Sequence, residues 1–174
     1  MKLLSKRNRF IFLIITLTIA VDQISKALVR HYVGARTDTN PGEQISLIGS
    51  YFTLMNVENE GAFLGMGSDL SEPMRIALLL ILPVIVLGFV FRYILKDKEL
   101  NYWSLFAFSS IIGGGIANVF DRFMYGSVTD FFYIKITDLV RTGIFNMADL
   151  SVTTGMIILM VLSFKKDKSK PEAS

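Results

Sequence analysis

Four apolar runs, each about as long as a bilayer is thick, decide what this chain can become. A crossing helix needs roughly 20 apolar residues, and the runs 10–29, 75–95, 103–120 and 144–164 each meet that length. Pro83 interrupts the second run and is tolerated in membrane helices. The first run also has the outline of a cleavable leader, with Thr18 and Ala20 as small residues for a cut. Its helical apolar pattern nevertheless continues past Asp22 to Val29, which favours a retained span. The expected fold class is therefore a membrane all-α protein with a small β element: four transmembrane helices in one domain, 1–174. With 174 residues there is no room for a second core.

The basic residues mark the flanks of these spans. Lys2, Lys6, Arg7 and Arg9 precede the first, Arg92, Lys96 and Lys98 follow the second, and Lys165, Lys166, Lys168 and Lys170 close the chain. Positive charge favours the cytoplasmic side, so both termini are expected there, with segments 30–74 and 121–143 facing outward. The net charge of +3 lies in these flanks and forms no basic face, which argues against a nucleic-acid partner. Cysteine is absent and there is a single histidine, His31. Disulfides, thiolate chemistry and multi-histidine metal sites are thereby excluded. The basic tail 165–174 reads as a disordered topology anchor. Of the outward segments, 44–58 is rich in β-branched and aromatic residues with a Gly49-Ser50 break, which predicts a hairpin lying at the membrane surface. Gly61, Gly65 and Gly67 follow, suggesting tight backbone near something bound.

Charges inside apolar helices cost about 2.5–3.5 kcal/mol at the bilayer centre, so they usually face a protein interior and serve function. Asp22 and Lys26 lie one helical turn apart and can pair, either as a structural salt bridge or as part of the chemistry. Asn118, Asp121 and Arg122 share a face of the third helix by their spacing, with the Asp and Arg read as an ion pair or substrate clamp. The triple glycine 113–115 suggests close helix packing; no strand precedes it and no Gly-Lys-Ser/Thr follows, so it is no phosphate loop. Asp130 lies in an extended stretch, Gly126-Ser127-Val128-Thr129-Asp130-Phe131. Asn146 and Asp149 open the fourth helix and fit a capping box as well as a catalytic role. Ser25 adjoins Lys26 but neighbouring helix positions do not face each other, and a Ser110–Lys26 pairing remains open. His31 reads as interfacial. Two carboxylates at one membrane surface suffice for peptide hydrolysis, because close carboxyls do not both ionise cheaply and so divide into acid and base. A small proton-coupled transporter or channel, with the same charges as a relay, is the rival reading.

Four strings in order resemble one family. Asp22-Gln23-Ile24-Ser25-Lys26 is similar to a D-x-x-x-K element, and Asn59-Glu60-Gly61-Ala62 to an N-x-G-A segment. Asn118-Val119-Phe120-Asp121-Arg122 with Gly126 and Val128-Thr129-Asp130-Phe131 resembles N-x-x-D-R-x-x-x-G-x-V-x-D-F, and Phe145-Asn146-Met147-Ala148-Asp149 resembles F-N-x-A-D. These are elements of the type II, or lipoprotein, signal peptidases, aspartyl proteases of bacterial membranes. The resemblance implies catalysis by Asp130 and Asp149, with substrate or scaffold roles for Asn59, Asp121, Arg122 and Asn146; Asp22, Lys26, Gly61 and Asn118, which stand in the matching strings, are expected to share those roles. No metal or other cofactor is expected, since lone carboxylates without histidine support make a poor ligand set. The resemblance also implies diacylglyceryl-prolipoprotein substrates cut just before the lipidated cysteine; membrane lipids are the other expected partners, and the chain is expected to act as a monomer with its site on the outer face of the cytoplasmic (inner) membrane. Phe63, Leu64 and Thr129 depart from the family pattern, and 134–143 is longer than a minimal connection.

Overall fold

The computed structural model describes residues 5–61, 67 and 70–167. Ala62, Phe63, Leu64 and Gly65 lie outside the described residues, as does the tail from Lys168 onward. Among the described residues four helices are long and apolar enough to cross a membrane: α1 (Lys6–Tyr32), α2 (Glu72–Lys96), α3 (Tyr102–Tyr125) and α4 (Met147–Asp167, apolar through Lys165). Most run beyond the apolar stretches of the sequence, because helix ends are set by caps and not by polarity. Ser5 caps α1 by accepting from Asn8 N–H at 3.2 Å, and Asn101 caps α3 by accepting from Ser104 N–H at 2.8 Å. Gly126, at φ +77°, ends α3 in the left-handed conformation that suits glycine. Helix α3 thus carries Asp121 and Arg122 within its last turns, where the sequence reading had placed the start of an outward segment. Helix α4 begins at Met147, later than the apolar run suggested, because Phe145 is still bridged to Phe132 of the neighbouring strand.

Pro83 shapes α2 locally. A proline in a helix lacks its N–H and its ring presses on the carbonyl four residues back. Just ahead of it, Ile76–Ile81 is wound as a π-helix, and Leu82 N–H reaches Ala77 O. At the other end of the bundle Arg7 donates to the carbonyls of Ile94 and Asp97, tying the start of α1 to the end of α2.

The expected hairpin is present and gains a third strand. Strands β1 (Gln44–Ile48), β2 (Phe52–Asn59) and β3 (Val128–Ile134) form an antiparallel sheet in that order. Val57 lies opposite Asp130 and Asn59 opposite Val128, beyond an irregularity between Leu54 and Val57. Val29 and Val33 at the end of α1 pack with Phe131 of β3, and Ile45, Leu54 and Met147 surround them. The sheet is thereby held across one end of the bundle.

Helix α3 is the central post, and its triple glycine shows why. Successive helical residues point about 100° apart, so three in a row address three neighbours. A Cβ on Gly113 would lie 2.7 Å from Thr18 Cβ of α1. One on Gly114 would lie 2.5 Å from the Ala148 carbonyl oxygen of α4, and one on Gly115 2.6 Å from a Leu87 methyl of α2. Backbone cannot yield as a leucine tip can. Gly114→Ala is therefore expected to lower thermal stability in detergent by about 1–3 kcal/mol, the usual range for overpacking. Gly115→Ala should cost clearly less; equal melting temperatures for the two variants would refute this account of α3.

Candidate active site

At the sheet end of the bundle lies a charge that cannot exist there alone. The Lys26 ammonium is fully buried between two fully buried carboxylates, Asp22 and Asp121, at 2.7 Å from each. A third contact runs from Lys26 Nζ to Asn118 Oδ1 at 2.8 Å. Burying an ion costs several kcal/mol unless it is paired and hydrogen-bonded, and here every partner comes from the helical register. Asp22 and Lys26 are one turn apart on α1, and Asn118 and Asp121 nearly one turn apart on α3. Asp22 Oδ1 also accepts from Ala148 N–H of α4 at 2.8 Å, occupying one of the donors a helix start leaves open. One charge cluster thus joins α1, α3 and α4.

Asn118 passes the order on. Its Oδ1 faces Lys26 and its Nδ2 donates to Asp149 Oδ1 at 2.9 Å. Asn146 then bridges the two aspartates. It donates through Nδ2 to Asp130 Oδ1 at 2.7 Å and accepts at Oδ1 from Asp149 N–H at 2.9 Å. Asp149 Oδ2 in turn accepts from Asn146 N–H at 3.2 Å, which completes the reciprocal capping box. Asp130 Oδ2 takes a further amide from Asn59 Nδ2 at 2.9 Å, while Asn59 Oδ1 holds Gly61 N–H at 3.0 Å. Burial pushes the Asp130 carboxyl up to about 7; the amides of Asn59 and Asn146 pull it down, and the charge of Asp149 pushes it up.

Every site residue named from the sequence, from Asp22 to Asp149, lies in or beside this network. One pairing differs from expectation. Asp121 does not pair with Arg122, because adjacent helical residues diverge; it meets Lys26 and, at 3.4 Å, the guanidinium of Arg30. Arg122 donates instead to Gly61 O at 2.7 Å and to Asn118 O at 3.4 Å, clamping the strand end to the helix. Ser25 donates to Asp22 O at 2.8 Å, away from Lys26. Ser110 lies two turns from Asn118 along α3, about 12 Å by helical rise. Neither serine joins the site. His31 is exposed and stacks edge-on against Tyr32. Among the described residues no group of three or more His, Cys, Asp and Glu side chains is placed to hold a metal ion.

Two further residues take part that the sequence reading did not single out. Arg30 donates to Thr129 Oγ1 at 2.7 Å, lies over the Tyr125 ring at 4.1 Å and supplies the second cation for Asp121. Its spacing, four after Lys26 and eight after Asp22, was the available signal. Gln23 donates to Asp121 Oδ1 at 3.0 Å. Thr129, where the family pattern shows an aliphatic residue, is fully buried and finds partners in Arg30 and in Glu58, at 2.6 Å.

Buried acids at one end of a four-span bundle are the build of a membrane enzyme, and a solved relative has the same fold. A bacterial membrane enzyme solved by the in meso method at 2.3 Å superposes with a TM-score of 0.78 at 26% identity, covering 94% of this chain and 93% of that one. Residues 14–165 match the Signal peptidase (SPase) II family, to which this chain belongs. It is 39% identical over 170 residues to the lipoprotein signal peptidase of Borrelia duttonii (strain Ly), covering 94% of this chain and 96% of that one. It is 32% identical over 147 residues to that of Moorella thermoacetica, covering 84% and 87%. The family is one of proteases, and nothing in these relationships supports the transporter reading.

Lys26 has two acidic partners, so its loss strands both. Lys26→Met is expected to cost about 3–5 kcal/mol, the range for orphaning a buried charge, and Asp22→Asn less. The double variant should be milder than the sum of the two. Thermal unfolding in detergent measures the cycle, and additive losses would remove the pairing from the account.

Proposed function

We propose that this protein is a peptidase of the bacterial inner membrane that removes the signal peptide from diacylglyceryl-modified prolipoproteins, using Asp130 and Asp149 as its acid–base pair. The observation that carries the proposal is the shared grip of Asn146 on both carboxyls, within a chain of the Signal peptidase (SPase) II family. Asp130, with its carboxyl raised to about 7, is protonated in a large share of molecules at neutral pH and serves as the acid. Both its oxygens accept from amides, so the acid O–H is left to point to the scissile carbonyl oxygen. Asp149, held by Asn118 Nδ2 and Asn146 N–H, takes a proton from water as the oxygen attacks the carbonyl carbon. When the tetrahedral adduct collapses, the C–N bond breaks and the leaving cysteine nitrogen takes up that proton. Buried, preformed amide donors need no reorganisation at the moment of reaction. The carbonyl of Gly61, fixed by Arg122, and the side chain of Asn59 line the approach.

The remaining assignments follow from the same reading. The basic flanks favour the cytoplasm for both termini, which supports the outer face for the sheet. All the site residues come from one chain and one integral-membrane domain, so a monomer is sufficient. Bilayer-embedded acyl chains of the substrate would stay among lipid and helices while the scissile bond reaches the dyad at the surface.

Asp130→Asn and Asp149→Asn are each expected to lower turnover by several orders of magnitude while leaving insertion intact, since each half is useless without the other. Cleavage of a lipidated precursor, with membrane extraction as the folding control, checks this; near-native turnover in either variant would discard the dyad. For the wild type the rate should fall as pH rises through about 7, because the proton on Asp130 is then lost, and fall again at acid pH when the pair is doubly protonated.

Remote binding energy positions a reacting centre, so removing the acyl chains should lower kcat as well as raise KM. Precursors with and without the diacylglyceryl group, compared at saturating concentration, test the lipid requirement. Equal rates would show an enzyme that reads peptide alone.

A further inference from the structure

Beyond Ile134 the chain forms a small hairpin, 135–141, that the site does not use. It is tied together by its own hydrogen bonds. Ile136 N–H and Thr137 N–H reach Val140 O at 2.9 and 3.1 Å, and Thr142 N–H reaches Ile134 O at 2.8 Å. Thr137 Oγ1 accepts from Val140 N–H at 2.9 Å, and Lys135 is bridged to Arg141. Lys135 N–H also bonds Tyr51 O at 2.8 Å, fixing the root to the β1–β2 turn. Such a structured element would ordinarily turn its aliphatic side chains inward. Here Leu139 is 96% exposed, and Ile136 and Val140 are 61% and 56% exposed. Ile48 and Tyr51, at the same end of the sheet, are exposed as well.

The level of this hairpin is fixed by its return limb. Residues 143–145 lie over the first turns of α4 and enclose with Asp149, Leu150 and Thr153 a cavity of about 240 Å³. Leu150 is 45% exposed on a helix that starts at Met147, so, with α4 taken as a span, the limb lies at the level of its outer end. Cations stand at the root, and the tip carries Leu139 and Val140 beside Asp138, whose carboxylate turns back to Lys135. Arg141 is exposed, and Lys135 is partly so, in an ion pair with Asp138 at 2.6 Å. Basic groups at phosphate depth with apolar groups below them are the order of an interfacial membrane anchor.

We propose that hairpin 135–141 dips Ile136, Leu139 and Val140 into the acyl boundary of the leaflet beneath the sheet, with Arg141 and Lys135 among the lipid phosphates. The proposal rests on the reading of the chain as a four-span membrane protein, not on the identity of its catalytic groups. The anchor acts on the site through β3: the hairpin continues the strand that carries Asp130, so its depth sets the height of that carboxyl above the lipid.

The chain has one tryptophan, Trp103, at the start of α3, which makes the test direct. Trp103→Phe with Leu139→Trp is reconstituted into phosphatidylcholine–phosphatidylglycerol vesicles, with and without bromine on the upper acyl chain. The expected result is blue-shifted emission, quenched strongly by bromolipid and several-fold less by aqueous iodide. Water-like emission quenched by iodide and not by bromolipid would overturn the anchor and leave the tip as a surface for a protein partner. In a second measurement, Leu139→Ser with Val140→Ser is expected to match wild-type turnover in detergent and fall several-fold in vesicles. Unchanged turnover in both media, or equal loss in both, would also overturn the proposal.

Discussion

A single buried ammonium organises this molecule. Lys26 lies inside an apolar bundle where an unpaired cation would be intolerable, and it is stable there only while α1 and α3 bring it two carboxylates and an amide oxygen. That requirement fixes the rotation of both helices. Asp22 extends the constraint to α4 by accepting from its Ala148 N–H, one residue before Asp149. The ion cluster contains neither Asp130 nor Asp149, yet Asp149 follows Ala148 directly and is held to the cluster through Asn118.

From there the order is transmitted by carboxamides. Asn118 and Asn146 each offer an acceptor and two donors in one rigid plane, so each can face two partners of opposite demand at once. Asn118 presents oxygen to the lysine and nitrogen to Asp149; Asn146 presents nitrogen to Asp130 and oxygen to the Asp149 backbone. A hydroxyl would lack the reach, and a charged group would upset the balance of the acids. The sheet contributes separately: Asn59 arrives at the end of β2 and Asp130 within β3, so the acid is positioned by strand register and by helix packing together.

Much of this was legible in the sequence, for reasons that differ by element. The spans could be read because the bilayer imposes length and composition on every crossing helix. Asp22 and Lys26 could be read because one-turn spacing is a local property, and the hairpin because its two strands are neighbours in sequence. The third strand was visible only as an extended stretch, since its partner β2 is some seventy positions away along the chain. Arg30 is hard to read from the sequence because it sits at a helix end, where an arginine ordinarily faces water; only the fold brings Asp121, Thr129 and Tyr125 to it. The partner of Asp121 differs from the sequence expectation for a related reason: adjacency in sequence is not adjacency on a helix.

The reliance on asparagine also bears on how this protein ages. A side-chain amide hydrolyses slowly in hot water to a carboxylate, and asparagine is among the residues depleted in proteins built for high temperature. At Asn59 or Asn146 that change would replace a donor by a negative acceptor facing Asp130. At Asn118 it would put a third acid beside Lys26 and a repelling charge beside Asp149. Such a change at any one of the three side chains would disturb the network around the two acids while leaving the helices whole.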